Sequence, residues 1–540
     1  MDLKELSVKR FWILIMVVLV SGSNFVAPIN AKSLQPAQTS ANTTHSTPQL
    51  IEAAFQQGQI TADQRLLYLG YAVYEAHLLP PEFVGQKPWS GTHVVRELNQ
   101  VREEIVAGKR NSSPELKAFL LRPSTQAATI CDDEDGSKTY QTSNFHLSYD
   151  SVVDLSINDY GASLETTFDT LVNTYGLAKP PFRNNPMQRY PVLVADIGAG
   201  LYGYVTTGGG SFTGLVGNNP NTPEVETRAF ASCMVINSDM TSFAADTAGA
   251  LLALQATVAH EYFHSIQFGY GEPGNNVTDI WYESMAAYVE DEVFPDAHDN
   301  YNYLYPNLTV PFQINNDEVY SSWILFRYAA EQLGGMHTAN GGSEIMKSTW
   351  QKIATGKDGM TAYDEALQAK GTSFANLYHN FAISMRFMKN CSTTPNYCFT
   401  DGSDIRAYVG TPTNHHTINT IGSSYTGSLA DGFTANWIGM PKSGTYSISV
   451  KNNSTNGGSL RASMVAELGN DLHITPLSGL ANANGSITLE SYTPPTGAAN
   501  VILVLTNQAN SSGNRSYQIS TQAATPIEYT EFIYAPLVRR

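Results

Sequence analysis

Residues 260 to 264 read His-Glu-Tyr-Phe-His, and Glu283 follows nineteen positions after His264, inside Trp-Tyr-Glu-Ser-Met-Ala-Ala. Histidines four apart share one face of a helix, so His260 and His264 can grip a single divalent cation. Glu261 lies beside them, placed to take a proton from a water attacking a carbonyl. Glu283 supplies a third ligand, and two imidazoles plus one carboxylate leave the fourth position of a Zn2+ site open, as hydrolytic chemistry requires. The competing reading is a buried helix whose histidines are satisfied by core hydrogen bonds and whose Glu283 is a helix-start charge. On that reading a buried Glu261 between the two histidines is expensive without a metal.

These side chains need two helices to position them. From Asp246 to Phe268 only Gly249 interrupts a helical pattern, and Thr257-Val258-Ala259 before the motif and Ser265-Ile266 after it are uncharged, as in a helix packed inside a protein with its ligands facing a cleft. Gly269, Gly271, Pro273 and Gly274 then reverse the chain. Asp279 can cap a second helix that runs to about Val293, with Glu283 in its first two turns and Ala286 and Ala287 leaving room for close packing.

A third-ligand glutamate on a later helix resembles the thermolysin-like zincins, the gluzincins; no third histidine follows at metzincin spacing. His-Glu-Tyr-Phe-His-Ser-Ile-Gln-Phe and Trp-Tyr-Glu-Ser-Met-Ala-Ala-Tyr-Val-Glu-Asp-Glu-Val-Phe-Pro-Asp also resemble a family of secreted bacterial proteins classed as metalloproteases. The likeness extends more weakly from about Asn144, through Leu201-Tyr202-Gly203-Tyr204, to Tyr320-Ser321-Ser322-Trp323-Ile324-Leu325-Phe326. It implies a zincin-like fold and a zinc peptidase. In thermolysin-like enzymes an aspartate four residues after the ligand glutamate orients a histidine; here that position is Ala287. Glu290 or Asp291 are the replacements within reach.

The chain has 540 residues, 42% hydrophobic and 15% charged, which describes a globular protein of several domains. Its net charge of −17 and the lack of a basic stripe argue against a nucleic-acid partner. Lys4, Lys9 and Arg10 precede an apolar run from Phe11 to Val20, the pattern of a secretory signal peptide, too short to span a bilayer comfortably. Residues 1–31 are therefore read as a signal peptide ending at Ala31, which leaves no stable membrane insertion and a secreted, extracellular or surface location. Cys391 and Cys398 bracket a short loop and are expected to form a disulfide, with Cys131 and Cys233 as a second pair. The alternative for Cys131 is a thiolate that blocks the metal in a latent precursor.

The fold class expected is α+β: a zincin-like catalytic domain between an N-terminal helical segment and a C-terminal β-sandwich. Residues 32–48 are a Ser/Thr/Gln/Pro-rich linker and 49–131 a helical segment, read equally as a propeptide or as a permanent subdomain. The acidic Asp132-Asp133-Glu134-Asp135 marks a solvated boundary to the catalytic domain, 132–408. There Phe145–Tyr149, Tyr190–Ala195 and Cys233–Asn237 read as strands of a mixed sheet with one edge able to pair with an extended peptide, and Leu164–Tyr175 as a helix. The glycines at 198, 200, 203 and 208 to 210 read as a surface loop, since no phosphate-loop spacing is present. Helices are expected at Ser321–Leu333, Ser343–Ile353, Ala362–Ala369 and Phe374–Met388. Residues 409–525 carry strand-like runs at Phe433–Met440, Thr445–Val450, Leu460–Ala466, Val501–Thr506 and Tyr517–Thr521, separated by turns. His415 and His416 are adjacent and point apart on a strand. Residues 526–540 form a tail.

The leading reading is a secreted zinc-dependent endopeptidase acting on a protein or peptide, with His260, His264 and Glu283 on the metal and Glu261 as general base. Tyr320 is the candidate oxyanion donor, whereas Tyr282 and Tyr288 are read as packing residues. The alternative is a surface adhesin that binds a cell-surface polymer through its sandwich and carries an inactive protease-like domain. Retention of Glu261 speaks against it, because an inactive domain has no use for a general base.

Overall fold

The computed structural model describes residues 45–122, 136–182, 188–198, 200–207, 214–271, 278–304, 308, 312, 319–339, 341–391, 396–430, 432–455, 458–508 and 515–526. The expected signal peptide, most of the linker, Cys131, the acidic stretch 132–135, glycines 208–210 and nearly all of the C-terminal tail lie outside them.

Four helices open the described chain: α1 (Thr47–Gln56), α2 (Ala62–Tyr74), α3 (Thr92–Val106) and α4 (Pro114–Leu121). Ser46 and Thr61 form reciprocal capping boxes with Gln49 and Gln64, which fix where α1 and α2 begin. Ile51, Leu66, Leu69, Val94, Val95, Leu98 and Leu116 enclose a core of their own, joined by Leu201, Tyr204 and Val235 from the following sheet.

That sheet has five strands. β1 (Lys138–Gln141) and β2 (Phe145–Tyr149) precede α5 (Ile157–Phe168), then come β3 (Tyr190–Ala195), β4 (Gly203–Thr206), a small ladder of β5 (Leu215–Gly217) with β6 (Ala229–Phe230), and β7 (Cys233–Asn237). The order is β1-β2-β3-β7-β4, with β2, β3 and β7 parallel and both edge strands antiparallel to their neighbours. Gly203 thus belongs to an edge strand and not to the surface loop expected of the glycine-rich stretch. A Cβ there would come within 2.8 Å of the Val235 carbonyl and 3.3 Å of Thr257, so glycine is what lets β4 pass this close to the next helix. Helix α5 starts at Ile157, earlier than the pattern suggested, because Ser156 and Asp159 form a capping box.

The helical half follows: α6 (Thr247–Tyr270), α7 (Asp279–Val293), α8 (Trp323–Gln332), α9 (Gly342–Ala354), α10 (Gly359–Ala369), α11 (Phe374–Phe387) and α12 (Gly402–Val409). Asp246 caps α6 by accepting from the Gly249 N–H at 2.8 Å. At α7 the cap position is Thr278 rather than Asp279, whose carboxylate pairs with Arg96 Nη1 at 2.6 Å. The Cys391–Cys398 disulfide closes the loop before α12. Among the described residues no helix is long and apolar enough to cross a membrane.

The remaining strands are β8 (His416–Thr417), β9 (Ser424–Leu429), β10 (Ala435–Gly439), β11 (Tyr446–Asn452), β12 (Leu460–Leu468), β13 (Asp471–Pro476), β14 (Ser486–Tyr492), β15 (Asn500–Asn507) and β16 (Arg515–Ala523). They form a five-stranded sheet, β13-β12-β15-β10-β8, and a four-stranded one, β14-β11-β16-β9, in a β-sandwich-like arrangement. Ile438, Met464, Leu503, Ile448 and Ile519 from both sheets share one core, while the alternate residues Trp437, Val465, Ile502 and Val504 join the core of the helical half. Both faces of the larger sheet are therefore buried, which is why Val501–Thr506 reads as a continuous apolar run. His416 stacks on Tyr425 and His415 lies against Trp437. The molecule is α+β, with open sheets.

Candidate metal centre

Helices α6 and α7 pack together and bring His260, His264 and Glu283 into one buried group whose ligand atoms all lie within 4.8 Å of one another. Glu283 Oε2 sits 3.2 Å from His260 Nε2 and 3.3 Å from His264 Nε2. The two rings are 4.7 Å apart at 81°, so their Nε2 atoms converge from two directions on the same carboxylate.

Both imidazoles are aimed by partners on their far nitrogens. His260 Nδ1 lies 2.7 Å from Glu290 Oε1, and His264 Nδ1 lies 2.7 Å from Gln267 Oε1. The Gln267 amide nitrogen donates to the Tyr282 carbonyl at 3.1 Å, which leaves its oxygen to accept from His264. With an acceptor at Nδ1, each histidine can keep a proton there, so that a bound metal would meet Nε2 as a lone pair. Glu290, seven residues and two helical turns beyond Glu283, fills the role that Ala287 cannot; Asp291 instead pairs with Arg327 at 3.1 Å.

The group fits a cation on its own evidence. Among the described residues, His264 Nε2 and Glu283 Oε1 are buried polar atoms without a hydrogen-bond partner, a costly condition unless something else meets them. Burial alone pushes the His260 pKa down, but Glu283 and Glu290 outweigh it and hold the imidazole well above its ordinary value. For Glu283 burial raises the pKa, and His264 and His260 more than reverse this, holding it well below the usual carboxylate range. Burial pushes Glu290 up to about 8 against the pull of His260. Positive charge is thus drawn to this point by the carboxylates around it.

Glu261 is 0% exposed, and among the described residues its carboxylate bonds to hydroxyls rather than to His260, His264 or Glu283. Its Oε1 accepts from Ser90 Oγ at 2.7 Å and its Oε2 from Thr92 Oγ1 at 2.6 Å. Hydrogen bonds to a charged acceptor contribute about 1.5–3 kcal/mol each, so these two offset much of the cost of burying the carboxylate. Tyr320 is also brought here. Its ring centre is 5.9 Å from that of His260, its hydroxyl is 3.1 Å from His93 Nδ1, and its ring stacks on Tyr303. Burial, with Glu283 and Glu261 nearby, raises its pKa well above the ordinary phenol value. Tyr282 and Tyr288 behave as packing residues: the first lies under Arg96, 3.5 Å from its guanidinium carbon, and the second donates to Glu292.

Sequence reading did not find Gln267, Ser90, Thr92 or His93. Gln267 was within reach, three positions after His264 on the same helix. Ser90 and Thr92 stand 171 and 169 positions from Glu261 and carry no local pattern.

No family model matches this chain, and no curated protein does. Among solved structures, the pre-peptidase C-terminal domain of a collagenase from Bacillus anthracis is similar at 16% identity over 21% of this chain and 100% of that one, TM-score 0.15. The Yersinia pseudotuberculosis-derived mitogen is similar at 15% identity over 21% of this chain and 93% of that one, TM-score 0.14. At these TM-scores neither likeness carries weight for fold or function.

Proposed function

We propose that this chain is a secreted zinc-dependent endopeptidase of the gluzincin type, with a zincin-like domain over 132–408 and an accessory β-sandwich over 409–525. The observation that carries it is the meeting of His260, His264 and Glu283 within 4.8 Å, with both imidazoles aimed through Nδ1. His260 and His264 through Nε2 and Glu283 through its carboxylate would hold the metal, a donor set suited to Zn2+. Bound there, the ion supplies a Lewis acid that polarises a carbonyl and acidifies water. Glu261 takes the proton of the attacking water and later passes it to the departing amine. Tyr320, kept protonated by its burial, donates to the oxygen on which negative charge develops. Glu290 and Gln267 hold the imidazoles so that none of this requires rearrangement.

The test joins metal content to turnover. Purified protein should contain about one zinc per chain, lost in His264→Ala, and should cleave casein after removal of the residues before Gly136. Glu261→Gln should keep the zinc and lose about 100-fold or more in kcat, the scale of a missing general base. Zinc-free wild type, or Glu261→Gln with undiminished activity, would overturn the proposal.

A further inference from the structure

We infer that residues 45–122 are an inhibitory segment that occupies, in the intact chain, the groove and the proton-handling groups an extended peptide substrate must use. The inference rests on the peptidase reading above and names both its regulation and the way substrate binds.

One edge of the sheet in the catalytic half is β4, and residues 89–91 run beside Gly200–Gly203, where the chain enters that strand. The Trp89 N–H donates to the Gly200 carbonyl at 2.9 Å, the Tyr202 N–H to the Trp89 carbonyl at 3.1 Å, and the Gly91 N–H to the Gly203 carbonyl at 2.9 Å. Any extended peptide can make these backbone bonds, because none depends on a side chain. Gly91 is fitted to the place: a Cβ there would come within 3.1 Å of both Leu201 and Tyr204. Directly after it, Thr92 Oγ1 accepts from the Val205 N–H at 2.8 Å while donating to Glu261.

The same few residues engage both groups proposed to move or donate protons. Ser90 and Thr92 take the two carboxylate oxygens of Glu261, and His93 takes the hydroxyl of Tyr320. A general base whose two oxygens already accept hydroxyl protons is poorly placed to receive one from water. Nor can a peptide arrive, since Glu261, His264 and Glu283 are each 0% exposed and His260 only 4%. A working peptidase must open this site.

The segment is also built to leave. Its four helices enclose their own apolar core and share with the sheet mainly Leu201, Tyr204 and Val235. Polar contacts also hold it: Arg96 on Asp279 at 2.6 Å over the Tyr282 ring, Arg228 beside Glu103 at 3.7 Å, Lys87 on the Asn302 carbonyl at 3.4 Å and Asn99 on Thr207 at 3.5 Å. Its departure would expose the chain from Gly200 to the start of β4 at Gly203, together with Glu261 and Tyr320, a groove for an unfolded or extended chain.

The experiment uses the full chain with a recognition sequence for a specific processing protease inserted between Arg122 and Gly136. A fluorescent peptide hydroxamate reports access to the site by anisotropy, and casein hydrolysis reports turnover, before and after cutting and gel filtration. The cut chain should bind the hydroxamate at least about tenfold more tightly than the uncut chain. In the uncut chain Ser90→Ala with Thr92→Val should strengthen binding by about threefold or more, because the hydroxyl clamp is gone. Equal binding before and after cutting, no binding by either form, or a fragment that cannot be separated overturns the inference. Loss of casein turnover on cutting also overturns it, since Ser90 and Thr92 would then be positioning residues of the active enzyme. Hydroxamate binding gained on cutting without casein hydrolysis supports the inhibitory segment and counts instead against the peptidase reading.

Discussion

At the scale of single residues, the site is a set of far-side contacts as much as a set of ligands. Glu290 reaches His260 Nδ1 at 2.7 Å, and Glu290→Gln leaves the ligands in place while removing the charge behind one of them. Zinc affinity should fall by about 10–100-fold, the usual effect of losing such a partner, as measured by competition with a chelator. An unchanged affinity would show that His260 is held by something else. The grouping of His260, His264 and Glu283 was legible, because four-residue spacing on a helix is local and a distant carboxylate on a second amphipathic helix is nearly so. Glu290 was legible as one of two choices. Ser90 and Thr92 were not, because a small hydroxyl residue acquires its role only from the strand pairing that carries it to Glu261.

At the scale of elements, charge and polarity are buried where helices meet. Arg327 on α8 pairs with Asp291 on α7 at 3.1 Å, with Glu331 at 2.9 Å and with Asp401 ahead of α12 at 2.7 Å. Arg327→Met removes the cation and leaves three carboxylates together, so stability should drop by about 3–5 kcal/mol, read as a lower urea midpoint. His379 on α11 bridges Thr506 and Ser463 of the larger sandwich sheet, at 2.8 Å each. Burial, and then nearby Arg461, pushes its pKa down to about 3. The unfolded chain binds this proton from about pH 6.5 downward, whereas the folded chain takes it only near 3. The contribution of neutral His379 is therefore complete above about 6.5 and is lost, by about 1.4 kcal/mol per pH unit, as pH falls toward 3. His379→Gln should flatten that part of a stability-versus-pH curve; an unaltered slope would place the acid sensitivity elsewhere.

Element types were readable where period and caps agree, as in α6, which starts at its Asp246 cap but runs past the expected end at Phe268, through Gly269, to Tyr270 before Gly271 closes it. They were misread where a non-local fit decides. The glycines around 203 look like a loop by composition, yet Gly203 is strand because β4 must pass between β7 and α6, where a side chain has no room. Helix α12 and strands β1, β9, β13 and β14 were likewise missed, since much of their surface is polar and exposed.

At the scale of the whole molecule, three apolar cores among the described residues divide the labour: one for the N-terminal helices, one for the sheet and central helices, and one inside the sandwich. The central core carries the group of His260, His264 and Glu283 and is continuous with one face of the sandwich. The N-terminal core meets it along the β4 edge and α3, where Glu261 is covered. Zinc content of the purified whole chain, by mass spectrometry of the metal, is the most direct check on this arrangement. We expect about one zinc per wild-type chain and essentially none when His264→Ala or Glu283→Ala removes a converging ligand. A wild type that takes up no zinc, or a His264→Ala chain that keeps it, would contradict the account.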